Sequence, residues 1–421
     1  MRPFFLLLTA LLAASATSHA VAQASLPAVP APRTFDFDQL TAADTFTPER
    51  GYGFDLGTTP AAKGAPFYFS VAVPEGNYRI NITFGDATTA SANTLKAESR
   101  QLLLESLATK PGEFVTRSFV VNVRTPKLPP PEKNAPGGTA VLINDRETGL
   151  LRWDDKLTLE FNGAAPHIRS LAIEPADVPT IFIAGDSTVT DQPNEPAASW
   201  GQMLPRFLKP EIAVANHAES GETMKSFLSG LRLAKILSQI KAGDYLLIQF
   251  GHNDSKKQWP QTYAEAHTTY KAYLRAFIAE ARLRGATPIL VTSMQRRTFD
   301  EQGKIKNTHG DYPAVVREVA AEEKLTLIDL DRASTAFYEA LGPGRAPLAF
   351  SAGGKDATHH NNYGGYELAK VVVQGIRDSG LPLAAFIADD FAGFVSAHPD
   401  NPDTFALPAS PARSDAALRG N

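Results

Sequence analysis

Four short blocks of this 421-residue chain carry side chains suited to acyl transfer. An apolar run at 180–184 ends in Gly185-Asp186-Ser187-Thr188, which reads as a buried strand opening into a tight turn with Ser187 at its mouth. The segment Asn216-His217-Ala218-Glu219-Ser220-Gly221-Glu222-Thr223 follows a second apolar run, and Gly251-His252-Asn253-Asp254 follows a third. Asp356-Ala357-Thr358-His359 precedes the last long helical stretch. A serine hydroxyl is a poor nucleophile until a base takes its proton, and the base needs an orienting carboxylate. Asp356 and His359, three residues apart, can reach one site from a single turn. Ser187 is therefore the candidate nucleophile, His359 the candidate base and Asp356 the orienting acid. The N–H of Ser187, the N–H of Gly221 and the side-chain amide of Asn253 supply three donors for a developing oxyanion.

Other readings of the same residues compete. Gly-Asp-Ser-Thr alone also describes a turn followed by a helix cap. His360, next to His359, is the rival base and otherwise a candidate substrate contact, although the Asp-x-x-His spacing favours His359. Asp186 is expected to brace its turn through hydrogen bonds, and His217 and His252 are expected to be structural hydrogen-bonders in their loops. Arg296-Arg297 are candidate substrate contacts, because a guanidinium presents a planar fork of donors to a carboxylate. Glu219, Glu222 and Asp254 raise the possibility of a glycosidase pair, but the serine constellation accounts for the same loops. The chain has no cysteine, which excludes thiolate nucleophiles and disulfides. It has no His-Glu-x-x-His, and His359-His360 are neighbours rather than one helical turn apart, so no metal site and no cofactor are expected.

The elements that must position these blocks follow from periodicity. From residue 179 onward, strand-like segments at 181–184, 212–215, 245–250, 288–292 and 325–330 alternate with helix-period stretches at 200–207, 224–240, 263–283 and 312–323. A last helix spans 363–378. This grammar predicts an α/β domain at 179–381 with a parallel sheet, helices on both faces, and ligands outside the carboxyl ends of the strands. Residues 33–175 instead show period two. Phe67, Phe69, Val71 and Val73 share a face, as do Tyr78, Ile80, Ile82 and Phe84 beyond the turn at 74–77, a hairpin signature. Phe119, Val121 and Val123, then Leu157, Leu159 and Phe161, then Leu171 and Ile173 continue the pattern, which predicts a β-sandwich. Its aromatics obey the inward alternation and read as core rather than as a sugar-binding face. The stretch 127–138, with Pro129-Pro130-Pro131, reads as a long surface loop, and 382–421 as an extension that wraps or frays.

Residues 1–22 combine a charged start, a short apolar core and small residues at Ala20-Val21-Ala22, the pattern of a secretory signal peptide. No run reaches the roughly 18 apolar residues of a membrane span. The expected product is exported, periplasmic or extracellular. A net charge of −4 offers no footprint for nucleic acid.

The four blocks also resemble those of the SGNH (GDSL-like) hydrolases, named for their Ser, Gly, Asn and His. That resemblance implies a flavodoxin-like three-layer α/β/α domain, a triad of Ser187, Asp356 and His359, and an oxyanion hole from Ser187, Gly221 and Asn253. Within the superfamily, Gly-Asp-Ser-Thr, Phe250 to Asp254, Arg296-Arg297, Asp356 to His359 and Tyr363-Gly364-Gly365 are most similar to the rhamnogalacturonan acetylesterases. One departure is Glu222-Thr223, where an Arg-Ser or similar pair is frequent. The resemblance implies removal of O-acetyl groups from an acetylated plant cell-wall polysaccharide without a cofactor. The β-domain resembles galactose-binding-like modules. An acetylxylan esterase, a broader lipase or esterase, and a polysaccharide-binding protein without turnover are the alternative expectations.

Overall fold

The computed structural model describes residues 31–60 and 65–411. The expected leader at 1–22 and the end of the chain from 412 lie outside the described residues. The first nine strands are β1 (Arg33–Asp36), β2 (Tyr52–Asp55), β3 (Phe67–Ala72), β4 (Gly76–Phe84), β5 (Ser91–Ala97), β6 (Gln101–Thr109), β7 (Val115–Val123), β8 (Lys156–Ala165) and β9 (Ile168–Pro175). They form two antiparallel sheets, ordered β1-β9-β4-β7 and β2-β3-β8-β5-β6. Phe67, Phe69, Val71, Ile80, Ile82, Phe84, Val121, Leu159, Phe161 and Leu171 meet between them in one core, as their alternation requires.

One expectation needs correction. The turn at 74–77 does not close a hairpin, because β3 pairs with β2 and β8 while β4 pairs with β7 and β9. The two strands face each other across the core instead. Period-two apolar patterning reports which face is buried, and it is the same for strands paired edge to edge and strands opposed face to face.

The second part begins with β10 (Thr180–Gly185), followed by β11 (Ala213–Asn216), β12 (Tyr245–Gln249), β13 (Thr287–Val291) and β14 (Leu327–Ile328). All pair in parallel in the order β11-β10-β12-β13-β14. The order reverses beside β10, the switch point at which open α/β sheets leave a crevice. Ile181 and Ile183 point to a layer containing α1 (Trp200–Met203), α6 (Leu330–Arg345) and α7 (Asn362–Asp378). Phe182 and Ala184 point to the opposite layer of α2 (Met224–Ser229), α3 (Arg232–Leu237), α4 (Lys271–Leu283) and α5 (Tyr312–Glu323). The result is the expected α/β/α sandwich. Where one helix was expected over 224–240, the chain breaks: Leu231 takes a left-handed φ of 62°, and the Gly230 carbonyl accepts the N–H of Leu142 from the long loop after β7. Helix α6 is a helix that the periodicity did not signal, and its backbone breaks from helical geometry at Gly342 (φ 71°), just before Pro343-Gly344.

The two parts pack closely. Arg206 after α1 forks onto Glu105 of β6, and Leu102 of β6 joins the core of the α1, α6 and α7 layer. The segment after α7 wraps rather than frays as far as it is described. Tyr363 donates to the Asp400 carbonyl at 2.7 Å, and Lys96 of β5 donates to the Pro408 carbonyl and the Ser410 hydroxyl, each at 2.7 Å.

Candidate active site

The chain leaves β10 through one tight turn. The Asp186 carbonyl accepts the N–H groups of Val189 and Thr190 at 3.1 and 3.0 Å, so residues 187–190 form a single helix-like turn. The first N–H of such a turn has no partner within it, and among the described residues that of Ser187 meets no protein acceptor. Asp186 braces the turn as expected, accepting the Thr188 N–H at 3.0 Å and the Thr188 hydroxyl at 2.7 Å. Burial opposes its charge, but His252 and the Thr188 bonds outweigh that cost and hold its carboxyl below the usual range.

His359 reaches Ser187 from the far end of the chain. Its Nε2 stands 2.9 Å from the Ser187 Oγ across 172 residues of sequence, and its Nδ1 stands 2.8 Å from Asp356 Oδ2. The other Asp356 oxygen accepts the N–H groups of Thr358 and His359 at 2.7 and 2.9 Å. This closed turn sets the ring orientation, with Nδ1 donating to the carboxylate and Nε2 left to accept from the serine hydroxyl. Burial again acts against the Asp356 charge, yet the bonds from His359 and Thr358 dominate and place its carboxyl well below the ordinary carboxylate range.

The second and third blocks stand beside the serine turn. The β10 strand lies between β11 and β12, so both following loops open at its end. Gly221 has a φ of 83°, a left-handed conformation in which a side chain would be strained. Asn253 is buried and gives one amide hydrogen to the Glu222 carbonyl at 3.1 Å. That bond ties the two loops together and leaves the second amide hydrogen for another acceptor. Gly221, Glu222, Ser226 and Trp259 line an open cleft of about 540 Å³ that starts at this loop.

The remaining sequence candidates are placed differently from one another. Arg296 donates to the carbonyls of His252 (3.1 Å) and Thr308 (3.3 Å) and reaches His309 Nδ1 at 3.3 Å. Arg297 donates to the Gly354 carbonyl at 2.5 Å, and its guanidinium covers the Phe350 ring at 5.2 Å. Both forks are engaged with the loops around the site, and Arg297 props the loop that bears Asp356. His360 is turned away from the cleft, which corrects its assignment as a substrate contact or rival base. It is buried, with Nε2 2.7 Å from the Tyr338 hydroxyl and its ring against Phe350 at 4.5 Å. Burial and the neighbouring His359 pull its pKa down to about 3. His217 and His252 are also buried; the His217 ring forms no protein hydrogen bond among the described residues, whereas His252 Nδ1 stands 3.4 Å from Asp186 Oδ2. His217 packs on Trp153 at 5.7 Å and His252 on His309 at 4.4 Å.

Three contributors escaped the sequence reading. Ser351 donates to Asp356 Oδ2 at 3.3 Å. Gln192 donates to the Ser187 carbonyl at 2.6 Å, and Gln249, at the end of β12, donates to the Thr188 hydroxyl at 2.8 Å. Lone Ser and Gln residues carry no signal of their own. Only Gln249, a polar residue closing an apolar strand, had a recognisable position.

Residues 183–368 match the family model described as the GDSL-like Lipase/Acylhydrolase family. The chain is 41% identical over 216 residues to the rhamnogalacturonan acetylesterase RhgT of Bacillus subtilis (strain 168), an alignment covering 48% of this chain and 91% of that protein. It is 29% identical over 366 residues to the uncharacterized esterase YxiM of the same strain, covering 81% of this chain and 87% of that protein. The crystal structure of YxiM aligns with 84% of this chain at 25% identity, covers 99% of its own chain and gives a TM-score of 0.48. The chain is thus a carboxylic ester hydrolase, and it belongs to the GDSL-like lipase/acylhydrolase family.

Proposed function

We propose that this carbohydrate acetylesterase removes O-acetyl groups from rhamnogalacturonan by a Ser-His-Asp mechanism, and that it does so after export from the cell. The observation that carries the mechanism is the relay of Ser187 Oγ, His359 Nε2 at 2.9 Å, and His359 Nδ1 to Asp356 at 2.8 Å. Ser187 attacks the acetyl carbonyl while His359 takes the hydroxyl proton. The negative charge that develops on the carbonyl oxygen is met by the N–H groups of Ser187 and Gly221 and by the Asn253 amide. Collapse expels the sugar oxygen, which receives the proton from His359. Water, deprotonated by His359, then attacks the acetyl-serine, and acetate leaves as Ser187 recovers its proton. Asp356 stays ionised throughout, in keeping with its depressed pKa.

The pectic substrate is supported by the 41% identity to RhgT over 91% of that protein. The cleft beginning at Gly221 supports a carbohydrate occupant, since the half-buried Trp259, whose ring carries Lys256 Nζ at 4.2 Å, lines it together with the polar Gln261, Thr262 and Ser226. Export is supported by the composition of residues 1–22. The test is acetate release from acetylated rhamnogalacturonan and acetylated xylan side by side, with Ser187→Ala as control. Release from the pectic polymer that is lost in the variant is the expected result. Equal release from xylan would remove the substrate assignment, and release that survives Ser187→Ala would remove the mechanism.

A further inference from the structure

Between β7 and β8 the chain leaves the β-sandwich and runs against the catalytic loops. It does so through two 3-10 turns, Asp145–Glu147 and Leu151–Trp153. Arg152 is 1% exposed. One of its nitrogens donates to the Thr190 hydroxyl and to the Asp191 carbonyl at 3.1 Å, in the turn that follows Ser187. Its other terminal nitrogen pairs with Glu219 Oε2, two residues before Gly221. Arg146 pairs with the second Glu219 oxygen. Glu219 is completely buried, so both of its oxygens are held by guanidinium groups that come from outside the α/β part. Glu147 continues the lattice by pairing with Arg232, whose Nε lies 3.2 Å from Glu222, the residue after Gly221. Trp153 seals it, donating to Glu147 at 2.8 Å and packing on His217.

Burying two guanidinium groups and two carboxylates, with Arg146 and Glu222 partly buried beside them, is a poor way to gain stability, because desolvation offsets most of the attraction. What paired guanidinium forks provide is orientation. Here the forks grip the serine turn through Thr190 and Asp191 and the Gly221 loop through Glu219 and Glu222, one on either side of the space where the acyl oxygen would sit.

We propose that Arg152, with Arg146, is a positioning residue that sets the distance between the Ser187 and Gly221 donors, so that the segment between β7 and β8 supports the oxyanion hole from outside the α/β part. The proposal rests on the assignment of Ser187 and Gly221 made above. Arg152 touches no reacting atom; it acts through Thr190, Asp191 and Glu219. Release of the grip lets the two loops separate, and a displacement of about 1 Å at a reacting centre can cost ~10²-fold in rate.

The experiment compares full-length variants on a small acetyl ester and on an acetylated oligosaccharide. Removing Arg152 alone leaves the buried Glu219 carboxylate with Arg146 as its remaining guanidinium partner, so the main variant is the double change Arg152→Met with Glu219→Gln, which deletes one charge of each sign. Arg152→Lys is the second variant, since a lysine keeps the charge but cannot bridge both loops. The control is Arg206→Met with Glu105→Gln, which breaks a contact between the same two parts away from the catalytic loops. The expected result is a fall in kcat of roughly 10- to 100-fold on both substrates for the double variant, a smaller fall for Arg152→Lys, little change in KM, and full activity in the control. Unchanged kcat in Arg152→Lys or in the folded double variant overturns the proposal, as does an equal loss in the control, which would reveal general loosening. Activity that survives Ser187→Ala would instead remove the underlying assignment of the site. A dead Ser187→Ala enzyme beside fully active Arg152 variants would remove the positioning role alone.

Discussion

Asp356 holds His359 twice, once through the ring at Nδ1 (2.8 Å) and once through the backbone N–H (2.9 Å). Only the first bond depends on the carboxylate charge. Asp356→Asn keeps the turn, because an amide oxygen can still accept the backbone N–H groups, but it removes the acceptor that selects the tautomer. In serine hydrolases that loss is worth about 10⁴ in kcat. We expect a fall of that order with a melting temperature close to wild type, checked by steady-state kinetics beside thermal unfolding. A loss below tenfold would mean that His359 is oriented by something else, with Ser351 the first suspect.

Asn253 contributes one amide hydrogen to the Glu222 carbonyl and has a second to give. Asn253→Ala is expected to lower kcat by about 10² to 10³ with a smaller change in KM, the pattern of a group that binds the transition state more strongly than the substrate. Undiminished turnover would contradict its place in the oxyanion hole.

Trp259 lines the cleft that starts at Gly221. If a sugar ring lies there, Trp259→Ala raises KM for an acetylated oligosaccharide by roughly tenfold, in line with the 1–2 kcal/mol expected when an aromatic face is removed from a ligand. It leaves kcat/KM on a small acetyl ester almost unchanged. Equal effects on both substrates would place the polymer elsewhere.

Asp254 is fully buried, and one of its oxygens accepts the Met224 N–H at 2.9 Å. Burial, helped by the nearby Asp186 charge, pushes its pKa up to about 7. The sign of the linkage follows. The folded state holds a proton that the unfolded state has already lost above about pH 4, so Asp254 makes stability fall as pH rises from about 4 to about 7. A shift of this size corresponds to up to about 4 kcal/mol. Asp254→Asn cannot ionise and still accepts the Met224 N–H. Its stability relative to wild type is expected to rise across that window, as read by denaturant unfolding at several pH values. A constant difference between the two proteins would show that Asp254 is ionised throughout.

The chemistry of the site was legible because each block is local. Gly185-Asp186-Ser187-Thr188 closes an apolar strand, and Asp356 and His359 are held by one turn, so their residue types and spacing already specify what each piece can do. The alternation of strands and helices after residue 179, and the buried faces before it, were equally readable from periodicity. Pairing was not. The strands on either side of 74–77 carry the same alternation whether they join edge to edge or oppose each other, and only the packing of two sheets decides. Nor could sequence separate His359 from His360 except by spacing, whereas the core around Tyr338 and Phe350 turns one ring away from the cleft. The tertiary structure alone brought Arg152 to Glu219 across 67 residues. Arg152 also lies 3.8 Å from Glu147, five residues away, but the guanidinium groups that hold Glu219 are remote from it in sequence, and a buried charge declares its partner only once the chain has folded around it.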